Sequence, residues 1–156
     1  MAAQRLAVFV CSVAYIGFFP IAPGTVGSAA GLVLYLICRA AGALYLEIPI
    51  ILALFLLGVV LTAPVEKALG CQDPGPIVID EVMGMMMTLA FIPVGWSGML
   101  LGFLLFRALD VYKPFPARQL ERLHGGFGVM SDDAMAAIYA NLLLRGAHYL
   151  APNWIS

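Results

Sequence analysis

Thirteen of the 17 charged residues in this chain fall in two short windows, Glu66–Glu81 and Arg107–Asp133, and the remainder is close to pure hydrocarbon. Charged residues make up 11% of the 156, where roughly 25% is usual. A soluble domain of this length needs far more charge to cover its surface, so the sequence describes an integral membrane protein. The length suits one domain covering 1–156. A net charge of −1 gives no electrostatic footprint for DNA or RNA, and no nucleic-acid partner is expected.

Proline-bearing breaks interrupt the apolar stretches at Pro20-Ile21-Ala22-Pro23-Gly24 and at Pro93-Val94-Gly95-Trp96. Proline removes a backbone donor and clashes with the preceding turn, so each break ends a helix. The pattern predicts about six short helices, near 4–18, 26–41, 48–69, 80–92, 96–112 and 132–150, with no strand, repeat or linker. The expected fold class is all-α, a membrane-embedded bundle with its polar loops on one face. A fold-back at Pro93–Trp96 returns Asp80 and Asp110 to the same side of the bilayer. A turn near Gly42–Pro49 brings the Pro23-Gly24-Thr25 loop to that side as well. Lys67, Arg107, Lys113, Arg118 and Arg122 then share the polar face, with Arg5 and Arg39 near the other. That bias assigns the polar face to the cytoplasm.

Arg5 and the apolar run Leu6–Phe19 imitate a secretory signal. No small-x-small cleavage site closes the run, so a retained helix is expected. Cys11, Cys38 and Cys71 lack metal-ligand spacing and are odd in number, so they read as small apolar fillers.

Burying an unpaired carboxylate costs several kcal/mol, so acids gathered in so apolar a chain point to a bound cation or to chemistry. Asp80 and Glu81 open a predicted helix, where dipole capping accounts for one acid but not readily for two. Gly84 and Thr88 lie on the face of Glu81 and leave room for close approach. Arg107, Asp110 and Lys113 recur every three residues at a helix end. Two cations flanking one carboxylate suit a phosphate beside a metal ion, with Asp110 as ligand and Arg107 and Lys113 as anion clamps. A snorkelling interfacial cluster is the plain alternative.

His124-Gly125-Gly126-Phe127-Gly128 reads as a loop that lets a ligand approach the backbone. Ser131 reads as an N-cap, with Asp132 and Asp133 in the first turn. Adjacent helical residues point about 100° apart, so one aspartate is expected in the site while the other orients it. His124 is more readily incidental than a general acid, and His148 reads as buried or interfacial. Gly24, Thr25 and Ser28 precede a helix and suit a phosphate oxygen, although ordinary capping explains them equally well. Asp73, in the turn Asp73-Pro74-Gly75-Pro76, could support the site from behind.

Three familiar phosphatase devices are missing: Cys-x5-Arg, Asp-x-Asp-x-Thr and paired histidine motifs. What is left is a carboxylate-rich site for a hard divalent cation, with Mg²⁺ the natural choice beside a phosphate.

The combination of Pro23-Gly24-Thr25-x-Gly27-Ser28, Ile79-Asp80-Glu81-x-x-Gly84-Met85, Arg107-x-x-Asp110-x-x-Lys113-Pro114-x-Pro116 and Gly125-Gly126-x-Gly128-x-Met130-x-Asp132-Asp133 resembles the phosphatidylglycerophosphatase A family. Order and spacing match over roughly residues 15–143. The resemblance implies an all-helical, Mg²⁺-dependent lipid phosphatase of the bacterial inner membrane, acting on phosphatidylglycerophosphate to give phosphatidylglycerol. One departure is Tyr15, where glycine is expected.

The sequence reading is therefore a lipid phosphate monoesterase embedded in the bilayer. Asp80, Glu81, Asp110, Asp132 and Asp133 would supply metal ligands and the base. Arg107, Lys113 and the Gly24/Thr25/Ser28 turn would bind the phosphoryl group. A cation transporter is the rival reading, and it requires polar residues through the membrane depth. A structural membrane subunit leaves the Arg107/Asp110/Lys113 grouping without a purpose. No oligomeric state follows from the sequence.

Overall fold

The computed structural model describes residues 2–72, 74–123 and 125–155, and among them there are helices and turns but no strand. Asp73 and His124, considered above as a supporting group and a general acid, lie outside the described residues. The helices are α1 Ala2–Cys11, α2 Pro23–Ala40, α3 Glu47–Leu69, α4 Ile79–Leu89, α5 Trp96–Tyr112, α6 Ala117–Leu120, α7 Gly126–Leu150 and α8 Pro152–Ile155.

The centre of the bundle is α4. It is apolar on nearly every side, which suits a helix only when others surround it. Ile79, Val82, Met83, Met85, Met86 and Leu89 are all buried, and α2, α3, α5 and α7 pack around them. Gly31 sets the closeness of α2, since a Cβ there would lie 2.6 Å from the Val82 carbonyl oxygen. The 11 residues of α4 reach about 16 Å, roughly half of a bilayer's hydrocarbon thickness. Both α2 and α3 are long and apolar enough to cross a membrane. Leu52, Leu56 and Val60 of α3, Val33 and Ile37 of α2, and Leu100 and Leu104 of α5 are exposed. Apolar surface so extensive fits lipid rather than water.

Charges outside the two windows are largely spent at the far end of α4. The Arg39 guanidinium donates to the Val94 carbonyl. Glu47, which is buried, accepts the Phe91 N–H at 3.2 Å. Asn141 Nδ2 shares its protons among the carbonyls of Met87, Thr88 and Ala90 at 3.0–3.1 Å, and Arg145 Nη2 donates to Ala90 at 3.1 Å. Helix carbonyls without intrahelical partners are thereby satisfied, with a cation at the negative end of the dipole.

Several expectations are corrected. The first helix stops at Cys11 instead of running to residue 18, and Val13, Ala14 and Tyr15 adopt φ of 49°, 55° and 67°. The cause is tertiary. The Cys11 carbonyl accepts the Val78 N–H at 3.0 Å, and Gly17 abuts the Pro76 carbonyl, which a Cβ would approach to 2.1 Å. Tyr15 thus occupies a left-handed conformation that favours glycine, the residue the resemblance implies there. Because α1 is short, Arg5 lines a pocket with Lys67 and belongs to the polar end, not the opposite one. Cys11 and Cys38 are buried, whereas Cys71 is exposed and fills nothing. Lastly, α7 begins at Gly126, so the glycine run lies mostly inside the helix and Ser131 is not an N-cap. Gly126 seats α7 against α3, where a Cβ would sit 2.5 Å from the Val59 carbonyl oxygen.

Candidate active site

Three helix ends meet at one place: the first turn of α4 with Asp80 and Glu81, the last turns of α5 with Arg107 and Asp110, and the first turn of α2 with Gly24. The α4–α5 connection around Pro93 makes this possible, since it turns the chain back to the side it came from. The second turn of α7 adds Asp133. One carboxylate oxygen from each of Asp80, Glu81 and Asp133 lies within 4.8 Å of the others. Arg107 Nη1 donates to Asp110 Oδ2 at 2.6 Å and lies 3.9 Å from Glu81 Oε1. Asp80 Oδ1 accepts the Glu81 N–H at 3.0 Å, which fixes the first carboxylate of the pair.

Asp132 and Asp133 diverge, as the helical angle requires. Asp133 turns into the acidic cluster. Asp132 turns away from it and accepts from Lys113 Nζ at 2.6 Å. Lys113 also donates to Glu121 at 2.8 Å. Of the five expected ligands, Asp110 and Asp132 therefore lie outside the three-carboxylate group, and each holds a cation of the site instead, Arg107 and Lys113. Both aspartates are buried in the helix interior, so capping does not explain either.

Gly24 is placed closer to the acids than its loop-like sequence suggested. A Cβ on it would fall 2.2 Å from Glu81 Oε1 and 3.0 Å from both terminal nitrogens of Arg107. The positive end of the α2 dipole thus faces Glu81. Thr25 lies half-buried in the same turn. Ser28 is fully buried and its hydroxyl donates to the Gly24 carbonyl at 2.9 Å, so its proton is spent inside α2.

Sequence comparison matches a known family over the stretch that contains these residues. The model of the family described as Phosphatidylglycerophosphatase A matches residues 9–148. The chain belongs to that family. It is 41% identical to Phosphatidylglycerophosphatase A of Haemophilus influenzae over 130 residues, covering 82% of this chain and 80% of the relative. It is 37% identical to Phosphatidylglycerophosphatase A of Escherichia coli K12 over 141 residues, covering 88% of this chain and 79% of the relative. A Bacteroides thetaiotaomicron protein, named provisionally as a phosphatidylinositol-3-phosphatase, is 31% identical over 141 residues, covering 86% of this chain and 88% of its own length. No solved structure matches. Membership of the phosphatidylglycerophosphatase A family makes the chain a phosphatase, and its described residues form an all-helical bundle with two helices of membrane-crossing character.

The electrostatics of this acidic cluster are strained without a cation. Glu81 Oε2 and Asp133 Oδ2 are buried and have no hydrogen-bond donor among the described residues. Burial pushes the Glu81 carboxyl up from 4.5 to about 7, with Asp133 and Asp110 adding repulsion, and Asp80 and Arg107 opposing it. Burial also pushes Asp133 well above its ordinary value, reinforced by Asp80 and Asp110. Burial raises Asp132 to about 6 even though Lys113 pulls the other way. Five carboxylates against two cations is an arrangement that a divalent ion would relieve. The donor set is all oxygen, which selects a hard cation. Ligands around such an ion stand about 3–4 Å apart when each is 2.0–2.6 Å from it, so the three grouped carboxylates fit after a small closure.

Glu121 escaped the sequence reading. It follows Lys113 by eight residues across a proline-containing turn, a spacing with no helical meaning until the turn is folded.

Proposed function

We propose that this phosphatase removes the terminal phosphate monoester of phosphatidylglycerophosphate, giving phosphatidylglycerol, with Mg²⁺ held by Asp80, Glu81 and Asp133. One observation carries the reading: two buried carboxylate oxygens, Glu81 Oε2 and Asp133 Oδ2, lie in one acidic cluster without a donor among the described residues, beside Arg107. The names of the Haemophilus and Escherichia relatives supply the lipid. Bound there, the ion would supply Lewis-acid stabilisation of phosphoryl charge. Arg107 orients the phosphoryl oxygens and remains aligned by its 2.6 Å bond to Asp110. Asp110, held by Arg107 at 2.6 Å, takes the proton from the attacking water. Lys113, held between Asp132 and Glu121, adds positive charge at the edge of the site.

The test is phosphate release from phosphatidylglycerophosphate by purified protein, with and without a chelator. Chelation should abolish turnover and Mg²⁺ restore it, and Glu81→Gln and Asp110→Asn should each lose about a hundredfold or more. Full turnover in both variants, or in the presence of chelator, removes the site. Phosphatidylinositol 3-phosphate in the same assay asks whether the head group in the Bacteroides relative's name applies here.

A transporter is disfavoured by the depth of the bundle. Ser28, Thr62 and Thr88, all buried, each donate to a carbonyl of their own helix. They offer no relay across α2, α3 and α4.

The site lies at the cytoplasmic face of a multi-pass protein. Arg5 now joins Lys67, Arg118 and Arg122 at the polar end, which strengthens the positive-inside bias. Exposed Cys71, just past the end of α3, reports on this directly. An impermeant maleimide should label it in inverted membrane vesicles and not in intact cells stripped of their outer membrane; the opposite pattern reverses the orientation.

A further inference from the structure

The turn after α5 carries a basic pocket whose Arg118, Gln119 and Arg122 the proposed chemistry does not use. It encloses about 520 Å³ between Lys113, Arg118, Gln119 and Arg122, with Tyr112 and Phe115 at its edge. We propose that this pocket holds the phosphodiester of the lipid substrate, one glycerol away from the phosphate being removed. The inference rests on the phosphatase reading above.

Four observations carry it. Lys113 lines the pocket and its Nζ lies 2.6 Å from Asp132, the chain neighbour of Asp133 in the acidic cluster, so the pocket adjoins the acidic site. Arg118 and Arg122 make no ion pair among the described residues, and the neighbouring Glu121 is already bonded to Lys113. Val111, Tyr112 and Phe115 are 75%, 72% and 73% exposed, an apolar collar suited to the membrane interface where a diester phosphate lies. The Tyr139 hydroxyl donates to the Phe115 carbonyl at 2.8 Å, which ties the turn to α7.

Phosphatidylglycerophosphate has two phosphates separated by a glycerol. The cluster of Asp80, Glu81 and Asp133 suits the terminal one, and the second needs its own cations nearby. Two guanidinium forks and the Gln119 amide provide donors for it. A lipid with a single phosphate cannot satisfy both places, so the pocket discriminates in favour of the two-phosphate substrate.

The experiment compares wild type with the Arg118→Ala/Arg122→Ala double variant on phosphatidylglycerophosphate in mixed micelles. KM should rise about tenfold while kcat stays within about twofold. Inhibition by phosphatidylglycerol, which keeps only the diester, should weaken by a similar factor, and inhibition by inorganic phosphate should not change. Arg118→Lys/Arg122→Lys should recover most of the affinity. Unchanged KM and unchanged phosphatidylglycerol inhibition overturn the proposal, and so does a fall in kcat alone. If no phosphate is released even by wild type, the phosphatase reading has failed. Direct binding of phosphatidylglycerol over phosphatidylcholine, present in wild type and lost in the double variant, reads the pocket independently of turnover; equal binding by both proteins overturns it.

Discussion

Asp133→Asn should lower phosphate release from phosphatidylglycerophosphate by roughly a thousandfold and, in chelator, raise the unfolding temperature. Asparagine keeps the shape and removes the charge. Asp133 is 3% exposed, with one oxygen lacking a donor among the described residues and with Asp80 and Asp110 repelling its ionised form. A residue kept for stability would not be placed this way, since a buried charge left uncompensated is a net cost. Gain of stability with loss of turnover marks a position where function is held against the fold. Normal activity in the variant, or a cation-free protein that melts lower than wild type, contradicts the placement of Asp133 in a cation site.

The pH dependence carries the same signature with a defined sign. Glu81 and Asp133 are raised above their ordinary values, so the folded chain binds more protons than the unfolded one. The stabilising contribution of Glu81 is present below about pH 4.5 and is lost as pH rises through about 7, and that of Asp133 has the same sign. For Glu81 the shift corresponds to something on the order of 3 kcal/mol. Cation-free wild type should therefore melt at a lower temperature at pH 7.5 than at pH 5. Millimolar Mg²⁺ should reverse the trend, because ion binding competes with protons. Asp133→Asn should lessen the dependence in both conditions, leaving the part due to the burial of Glu81.

How far the sequence reached depends on what set each boundary. Residues 48–69, 80–92 and 96–112 were legible because Pro93, Gly95 and the apolar runs act locally, and α3, α4 and α5 follow them closely. The meeting of Asp80, Glu81 and Asp110 followed from that one reversal of direction. The start of α7 was not legible. Three glycines in four residues argue against a helix on propensity, yet Gly126 is there so that α7 can touch the α3 backbone. Nothing local distinguishes a glycine needed for packing from one needed for a turn. The same holds for α1, whose end is fixed by Pro76 and Val78 more than sixty residues away. Ser28 looked available because its hydroxyl was counted as a donor to a ligand, and a helix's own carbonyl took it. Spacing shows which groups can converge; it does not show which have already been satisfied.

Gly24→Ala should be the complementary case, costing about a hundredfold in turnover with the unfolding temperature unchanged or slightly raised. The added methyl carbon would meet Glu81 Oε1 at 2.2 Å and the Arg107 nitrogens at 3.0 Å. Those are the ends of flexible side chains, so α2 can stay in place while they swing aside. Alanine is also the better helix former, by up to about 1 kcal/mol. The displaced pair is the one that aligns phosphoryl oxygens and cation ligand, and errors near 1 Å at such groups are costly in rate. Gly126→Ala differs in kind, because its methyl would strike backbone oxygens of Val59 and Gly58 at 2.5 and 2.6 Å and separate α7 from α3. Comparing the two variants by kcat and melting temperature separates a glycine that clears space for chemistry from one that clears space for the fold. Turnover within twofold of wild type in Gly24→Ala would mean that Glu81 and Arg107 do not act from the positions seen here.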